Sequence, residues 1–304
     1  MPILRDIWIF FCNFAFWHIR PEVSKTECRP KKKDMAKKKF LFVAQEVAPY
    51  LPPEHISTLG KEVATGIHKR GYEVRTFTPK WGGINERRNQ LHEVIRLSGL
   101  NVTIDDNDHP LLLKVASLHP TRTQVYFIDN DDFFQKLDSD IDEVGSNRPD
   151  NDKRIIFFTR STIETAKKLQ WDPAVIHAQG WVSAMTPVYL RQLTDEVPFE
   201  NSKVVYTVLP EDNPVAIDTD FFRRLKEEGV KADYLTAYEG MELDTKLLHR
   251  MAIDNSDGVI FMTEQPDPDL LAAVEAKDIP YMTKEEAEGN LEAYIEFYDK
   301  LSDK

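Results

Sequence analysis

The sequence predicts an α/β fold with a central, mostly parallel sheet. Three observations predict it: a continuous apolar run at residues 40–44, a helical pattern after it, and an alternating run that ends at Pro79. A continuous apolar run is typical of a strand whose two faces are both covered by helices. Strand, helix and strand within about 40 residues predict a βαβ unit with a right-handed crossover.

Composition places the chain among globular proteins and excludes some partners. Of its 304 residues, 41% are hydrophobic, and 39 Lys plus Arg against 51 Asp plus Glu give a net charge of −12. The apolar fraction is enough for a core, and the negative charge argues against a broad nucleic-acid or anionic-membrane surface. The two cysteines are Cys12 and Cys28, so the rest of the chain holds no disulfide framework or cysteine-based zinc site. A reducing cytoplasm fits this pattern best.

The first 34 residues are predicted to form a non-globular extension. An apolar stretch at residues 7–19 is shorter than the roughly 18 to 20 residues that a membrane span needs. The extension is a short membrane anchor, an uncleaved targeting segment, or a stretch that is not native because translation starts at Met35. We favour the third interpretation, since residues 35–40 begin as a cytosolic, strand-first domain would. No membrane contact is expected for residues 35–304.

The first strand is predicted to end next to a ligand site. In an open α/β sheet, the carboxyl end of the first strand points at the ligand crevice. Gln45, Glu46 and the loop through Gly60 therefore occupy the most informative place in the sequence. The helix after this loop is predicted from apolar residues at three- and four-residue steps, and it ends at Gly71.

Strands and helices continue to alternate after the second strand at residues 72–78. Further strands are predicted at residues 94–104, 111–118, 124–128, 174–178, 203–208 and 258–262, the last being the final strand. Helices are predicted to start at residues 129, 153 and 180, and two more helical segments precede the final strand. The first three of the strands follow one another without helices, which predicts a hairpin excursion. The remaining alternation predicts the parallel sheet.

A helical tail is predicted at residues 266–304, after a sheet domain at residues 35–265. Residues 283–286 match a capping box, and an apolar stripe follows at helical spacing. The stripe consists of Ala287, Leu291, Tyr294, Tyr298 and Leu301. We expect this tail to pack on the sheet domain as a capping helix.

Several segments give the chain a resemblance to bacterial glycogen and starch synthases. They are Phe-Val-Ala-Gln-Glu-Val-Ala-Pro (42–49), Lys-Arg-Gly-Tyr-Glu-Val (69–74), Thr-Pro-Lys-Trp-Gly-Gly-Ile (78–84), Val-Tyr-Phe-Ile-Asp-Asn (125–130) and Val-Ile-His-Ala-Gln-Gly-Trp (175–181). The similarity covers most of residues 38–262. It implies a Rossmann-like, doubly wound half of a GT-B glycosyltransferase. Such enzymes move glucose from ADP-glucose to an α-1,4-glucan at a site between two halves, and only the amino-terminal half is recognisable here.

The family's first active-site loop is degenerate in this sequence. In the family it is Lys-x-Gly-Gly-Leu, where backbone amides and the lysine meet the donor and the growing chain. Here Pro52 takes the place of the lysine, and Glu54 and His55 take the places of the glycines. A proline lacks an amide proton and a glutamate repels phosphate. This loop is therefore predicted not to cradle a nucleotide sugar in the family's way.

The family's second motif, His-x-His-Asp-Trp, is also changed. It corresponds to residues 177–181, where Gln179 replaces the sugar-facing histidine and Gly180 replaces the aspartate. A glutamine can hydrogen-bond a hydroxyl, but it cannot shuttle a proton. The tail helix is similar to the helix that crosses back onto the first domain in GT-B enzymes. We therefore hypothesise that the second half is deleted and its returning helix is kept.

No residue is predicted to be catalytic, and no metal or cofactor is expected. The candidate sugar- or nucleotide-facing residues are Glu46, His55, His177, Gln179 and Trp181. Glu46 is either a ligand contact or a loop hydrogen-bonding partner, and His177 is either functional or a core histidine. Trp181 either stacks on a sugar or packs under a loop. His55 lacks a third metal ligand, which favours a solvated loop.

Three functional hypotheses follow. The chain is an ADP-glucose-dependent glucan synthase that needs a second polypeptide, a non-catalytic binder of α-glucan or regulator, or a partner-binding protein that uses the former interdomain face. Retained βα architecture with altered loop chemistry favours the second and third. ADP-glucose and α-glucan are the expected ligands, and both are expected to bind weakly.

Overall fold

The structure, a computed structural model, describes residues 38–52, 54–135, 144–193, 198–210 and 215–302. The predicted extension at residues 1–34 lies outside these ranges, and His55 is described by its backbone alone. One compact unit covers residues 37–304. None of the helices in the described ranges combines the length and apolarity that crossing a membrane requires.

The described strands form one large sheet and one separate hairpin. In chain order they are β1 (Lys39–Ala44), β2 (Glu73–Pro79), β3 (His92–Glu93), β4 (Asn101–Ile104), β5 (Asn107–Pro110), β6 (Leu112–Leu118), β7 (Thr123–Asp129), β8 (Val175–Gln179), β9 (Lys203–Val208), β10 (Gly258–Phe261) and β11 (Tyr281–Met282). Among the described residues, the sheet has the order β11-β10-β9-β8-β1-β2-β7-β6-β3. Pairing is parallel from β11 to β7 and antiparallel from β7 through β6 to β3. Strands β4 and β5 form the antiparallel hairpin.

Helices cover both faces of the sheet. They are α1 (His55–Lys69), α2 (Asn151–Lys168), α3 (Met185–Gln192), α4 (Phe221–Glu227), α5 (Ala232–Thr236), α6 (Thr245–Asp254), α7 (Pro268–Ala276), α8 (Lys284–Ala287) and α9 (Leu291–Ser302). A π-helical turn at Asp131–Gln135 and a 3-10 turn at Trp181–Ser183 add to them. Helices α1 and α9 share one apolar cluster, whereas α2, α3 and α6 contribute to the other.

Strand β1 lies near the middle of the sheet, between β2 and β8. Its residues 40–44 are at most 3% exposed, because helices cover both faces. The continuous apolar run is therefore explained by two-sided burial. The predicted α/β fold, with its doubly wound and mostly parallel sheet, is confirmed.

Three predicted elements differ from the structure. Residues 94–104 contain a strand at Asn101–Ile104 only, because residues 95–97 form a turn in which Ile95 is 81% exposed. The final strand is β11 rather than β10, and a two-residue edge strand is too short to leave an alternating pattern. Three helices, rather than two helical segments, lie between β9 and β10 among the described residues.

Helix α9 packs across α1 and the neighbouring strands. A Cβ added to Gly66 of α1 would lie 2.7 Å from the Leu291 side chain, and one added to Gly258 of β10 would lie 2.8 Å from the Phe297 ring. Such close approaches need glycine at both positions. The predicted capping box at Thr283 and Glu286 precedes this helix and is present. The division of the chain at residue 265 stays a prediction.

Candidate functional site

The candidate site lies at the carboxyl edge of the parallel strands. Strands β1, β2, β8 and β9 run in the same direction, so their following residues meet at this edge. Those residues are Gln45, Lys80, Gly180 and Leu209. Ligands of open α/β sheets bind in the crevice outside this edge.

Gln45 connects three strands at this edge. It is 5% exposed, and its N–H donates to the Gln179 carbonyl at 3.1 Å. Its own carbonyl accepts hydrogen bonds from Trp81 Nε1 at 2.8 Å and from Thr78 Oγ1 at 3.2 Å. The side-chain Nε2 donates to Glu46 Oε1 at 3.1 Å. Gln45 Oε1 has no hydrogen-bond partner in the described structure, although it is buried.

Gln179 presents a complementary unpaired atom. It ends β8, is 2% exposed, and its register partner on β1 is Ala44, the residue before Gln45. Its side-chain Nε2 is buried without a hydrogen-bond partner among the described residues. Each such unpaired group costs about 1–3 kcal/mol. A ligand hydroxyl both donates and accepts, so it can satisfy either an amide oxygen or an amide nitrogen.

Gly180 brings the β8 loop against Gln45. Its φ of 83° and ψ of 172° lie in a region that is essentially restricted to glycine. A Cβ here would lie 2.4 Å from Gln45 Oε1 and 2.9 Å from Leu209 Cδ1. The aspartate of the related motif therefore has no room at this position in the present arrangement.

His177 lies in the core rather than at the open edge. It is fully buried, and its Nε2 is 2.6 Å from Thr207 Oγ1 while its Nδ1 is 2.8 Å from the Tyr298 hydroxyl. Burial lowers the pKa of His177 to about 3, so the ring is neutral at physiological pH. This placement is that of a hydrogen-bonded core histidine held between β9 and α9.

Trp181 is likewise enclosed. It is 2% exposed, and the guanidinium of Arg154 lies 5.9 Å from the Trp181 ring and 5.1 Å from the Trp81 ring. Arg154 is itself fully buried and donates to the carbonyls of Phe133 at 2.9 Å and Gly145 at 2.7 Å. Both indoles therefore pack around a buried cation and offer little surface for stacking on a sugar.

The opening loop is held by its own hydrogen bonds. The Glu54 N–H donates to Ser57 Oγ at 3.1 Å, and the Ser57 hydroxyl donates to the Pro52 carbonyl at 2.7 Å. Glu54 is exposed directly before α1, which begins at His55. Glu46 is half-buried, and its carbonyl oxygen lies 2.4 Å from where a Cβ on Gly60 would be. The Glu54 carboxylate therefore belongs to the residue at the amino-terminal end of α1, the end of a helix at which anions otherwise bind.

A salt-bridge cluster beside β2 and β7 gave no signal in the sequence. Lys80, which is 3% exposed, lies 3.2 Å from Glu86, and Lys114 lies 2.7 Å from both Glu86 and Asp129. Burial alone would lower the pKa of Lys114, but hydrogen bonds to Asp129 and Glu86 outweigh it and raise the pKa. The cluster members are too far apart along the chain to form a recognisable motif. No group of three His, Cys, Asp or Glu placed to hold a metal occurs in the described ranges.

The fold and the position of the site define a Rossmann-like domain of the GT-B glycosyltransferase type. The structure is similar to the solved catalytic domain of starch synthase IV from Arabidopsis thaliana bound to ADP and acarbose, with a TM-score of 0.65. The match covers 82% of this chain and 51% of that chain at 14% sequence identity. At that identity, the likeness concerns the fold alone.

Sequence comparison supplies the family. The family model described as the starch synthase catalytic domain matches residues 39–260, and the chain belongs to this family. It is 31% identical to the glycogen synthases of Chlorobium luteolum, over 173 residues, and Chlorobium limicola, over 179 residues. These matches cover 56% and 57% of this chain but 35% and 36% of the relatives. The chain therefore spans about a third of the length of the curated relatives it matches, and the predicted family resemblance is confirmed.

Proposed function

We propose that this chain is a non-catalytic member of the family that binds α-glucan hydroxyls and does not transfer glucose from ADP-glucose by itself. The observation that carries the proposal is the opening loop, where Glu54 precedes α1 and Ser57 closes the loop on Pro52. A phosphate about 4 Å from the Glu54 carboxylate would be repelled by about 1 to 4 kcal/mol, depending on the local dielectric. The loop therefore disfavours binding of the diphosphate group of ADP-glucose.

Sugar binding is supported by the unpaired amide atoms at the same edge. Gln45 Oε1 accepts and Gln179 Nε2 donates, and neither has a partner in the described structure. Neutral amides suit neutral hydroxyls, whereas neither group can act as a general acid or base. The retained edge thus supports binding without proton transfer.

The position of both cysteines in the first 28 residues supports a cytoplasmic location.

The test combines turnover and binding on the purified chain. ADP-glucose turnover is measured with a glycogen primer, and ADP-glucose and maltooligosaccharides are titrated by calorimetry. We expect no turnover, binding of the maltooligosaccharide, and much weaker binding of ADP-glucose. Turnover by the chain alone would contradict the proposal. Absence of binding by both ligands would favour the alternative, a protein partner at the former interdomain face.

The variant Gln179→Met separates binding from folding. Methionine is similar in volume to glutamine and removes the unpaired donor, so the free energy of unfolding should stay constant or increase. The affinity for maltooligosaccharide should decrease about tenfold, since a hydrogen bond of about 1.4 kcal/mol is lost. Unchanged affinity would show that Gln179 does not face the sugar.

A further inference from the structure

A cavity of about 520 Å³ lies beside the opening loop, apart from the unpaired glutamines of the sheet edge. We call it the basic cavity, and its lining includes Tyr50, Arg88, His92, Val115, His119 and Arg122. Its volume falls within the range of about 300–1,000 Å³ that is typical of small-molecule sites. A single small molecule fits this space, whereas a macromolecular surface is far larger.

The charge of the basic cavity is opposite to that of the protein. Arg88 and Arg122 both line it, no carboxylate of the described residues does, and the chain as a whole carries a net charge of −12. Both arginines are exposed, and in the described structure neither guanidinium has an ion pair or hydrogen bond. Other arginines are used differently: Arg224, for example, pairs with Asp105 and Asp152. Two unused guanidinium groups in one concavity favour an anion, because arginine binds phosphate and carboxylate in a fixed fork geometry.

Tyr50 adds an independent sign of a ligand. Its side chain is 7% exposed, and its hydroxyl has no hydrogen-bond partner in the described part of the chain. Its ring packs edge-on against Phe127 at 4.8 Å, which fixes its position. Burial raises the pKa of Tyr50 to about 12, so the hydroxyl keeps its proton and can donate. A buried donor without an acceptor is rare in folded proteins, and a ligand in the basic cavity would supply the acceptor.

The rest of the lining mixes apolar and polar side chains. Pro49, Val115 and Leu118 can contact a carbon skeleton, whereas amide side chains such as Gln90 and Gln124 can hydrogen-bond its polar groups. A phosphate monoester carries about 1.5 to 2 negative charges at pH 7, which matches two guanidinium groups better than one carboxylate would. We propose that the basic cavity binds a small organic phosphate ester, with Arg88 and Arg122 on the phosphate and Tyr50 and the apolar lining residues on the organic part.

The test is calorimetric titration of the full chain at low ionic strength. The ligands are inorganic phosphate, a hexose phosphate, adenosine monophosphate and neutral glucose. We expect both esters to bind, inorganic phosphate to bind more weakly, and glucose not to bind in this cavity. Preference for one ester identifies the organic part, and either preference supports the proposal. Failure of both esters to bind at millimolar concentration would overturn it.

Arginine variants test whether the ester binds in the basic cavity. The double variant R88Q/R122Q should weaken ester binding by about 100-fold, since each charged hydrogen bond is worth about tenfold or more. The control is Arg87→Gln, because Arg87 is an exposed neighbour of the same charge that does not line the cavity. A similar loss in this control would reveal general charge attraction and overturn the assignment.

The hydroxyl of Tyr50 is tested by Tyr50→Phe. Removing an unpaired hydroxyl should leave the thermal unfolding temperature unchanged or slightly higher. Binding of the preferred ester should weaken about tenfold, whereas binding of inorganic phosphate should not change. Equal loss for ester and inorganic phosphate would contradict the assigned role of Tyr50.

Discussion

Besides its apolar contacts, helix α9 forms a buried hydrogen bond to the sheet that can be removed without changing the packing. The Tyr298 hydroxyl lies 2.8 Å from His177 Nδ1, and the two residues are 121 positions apart in the chain. Tyr298 is 1% exposed and His177 is fully buried, so water cannot replace either partner. Tyr298→Phe keeps the ring, which lies 5.4 Å from that of Phe40, and removes only the hydroxyl.

The expected loss of stability is about 1–3 kcal/mol. It arises because the variant leaves a buried imidazole nitrogen unpaired, and such a group costs its full desolvation penalty. The matched control is Tyr294→Phe on the same helix, since the Tyr294 hydroxyl contacts Met262 Sδ at 3.9 Å, a weak interaction. Removing that hydroxyl should lower the free energy of unfolding by less than Tyr298→Phe does, because a thioether sulfur is a weak acceptor.

Urea unfolding monitored by circular dichroism measures both variants. The midpoint of Tyr298→Phe should decrease at an unchanged slope, because the compactness of both states is preserved. Equal midpoints for the two variants would refute the reasoning. That result would mean that α9 does not hold His177 in the folded protein.

Two further predictions concern His177 in β8 and Gly180, the residue that follows β8. Burial lowers the pKa of His177 from 6.5 to about 3, so below pH 6.5 only the unfolded state takes up this proton. Between pH 6.5 and 3, the free energy of unfolding should therefore decrease by about 1.4 kcal/mol per pH unit through this residue. The free energy of unfolding, measured by urea titration at several pH values, should change with pH more steeply in the wild type than in His177→Gln, by this amount. Parallel pH profiles of the two proteins would contradict this expectation. Gly180→Ala should lose at least about 2 kcal/mol, because its backbone is confined to a glycine region and the methyl group would meet Gln45. Gly71→Ala should lose less free energy of unfolding in the same assay, because a Cβ there meets nothing within 4 Å. Equal losses in the two variants would rule out the clash with Gln45 as the cause.

The sequence predicts which residues lie near the carboxyl edge of the sheet, but not the direction of their side chains. His177 and Gln179 are two residues apart in β8, so both face the same side of the sheet. Tyr298 pairs with His177, whereas Gln179 Nε2 stays unpaired in the described structure. Both residues are buried, and where α9 crosses the sheet decides which of them receives a hydrogen-bond partner from that helix. No local pattern around residue 177 contains that information.

The importance of Gln45 also emerged from tertiary contacts. Its position at the end of the first strand drew attention to the loop, but its role depends on contacts with Thr78, Trp81 and Gln179. The basic cavity is a similar case, because Tyr50, Arg88 and Arg122 come from separate segments. In both cases the groups that matter are brought together by folding.

The sequence by itself determined the α/β class, the central strand, the capping box before α9 and the membership of the starch synthase family. These features depend on periodicity, burial patterns and motifs within short stretches, which physical chemistry fixes locally. Tertiary structure alone decided that His177 is enclosed, that the glutamine amides are unpaired and that two arginines share a cavity. Those outcomes depend on pairings between residues far apart in the chain, for which the local sequence carries no constraint.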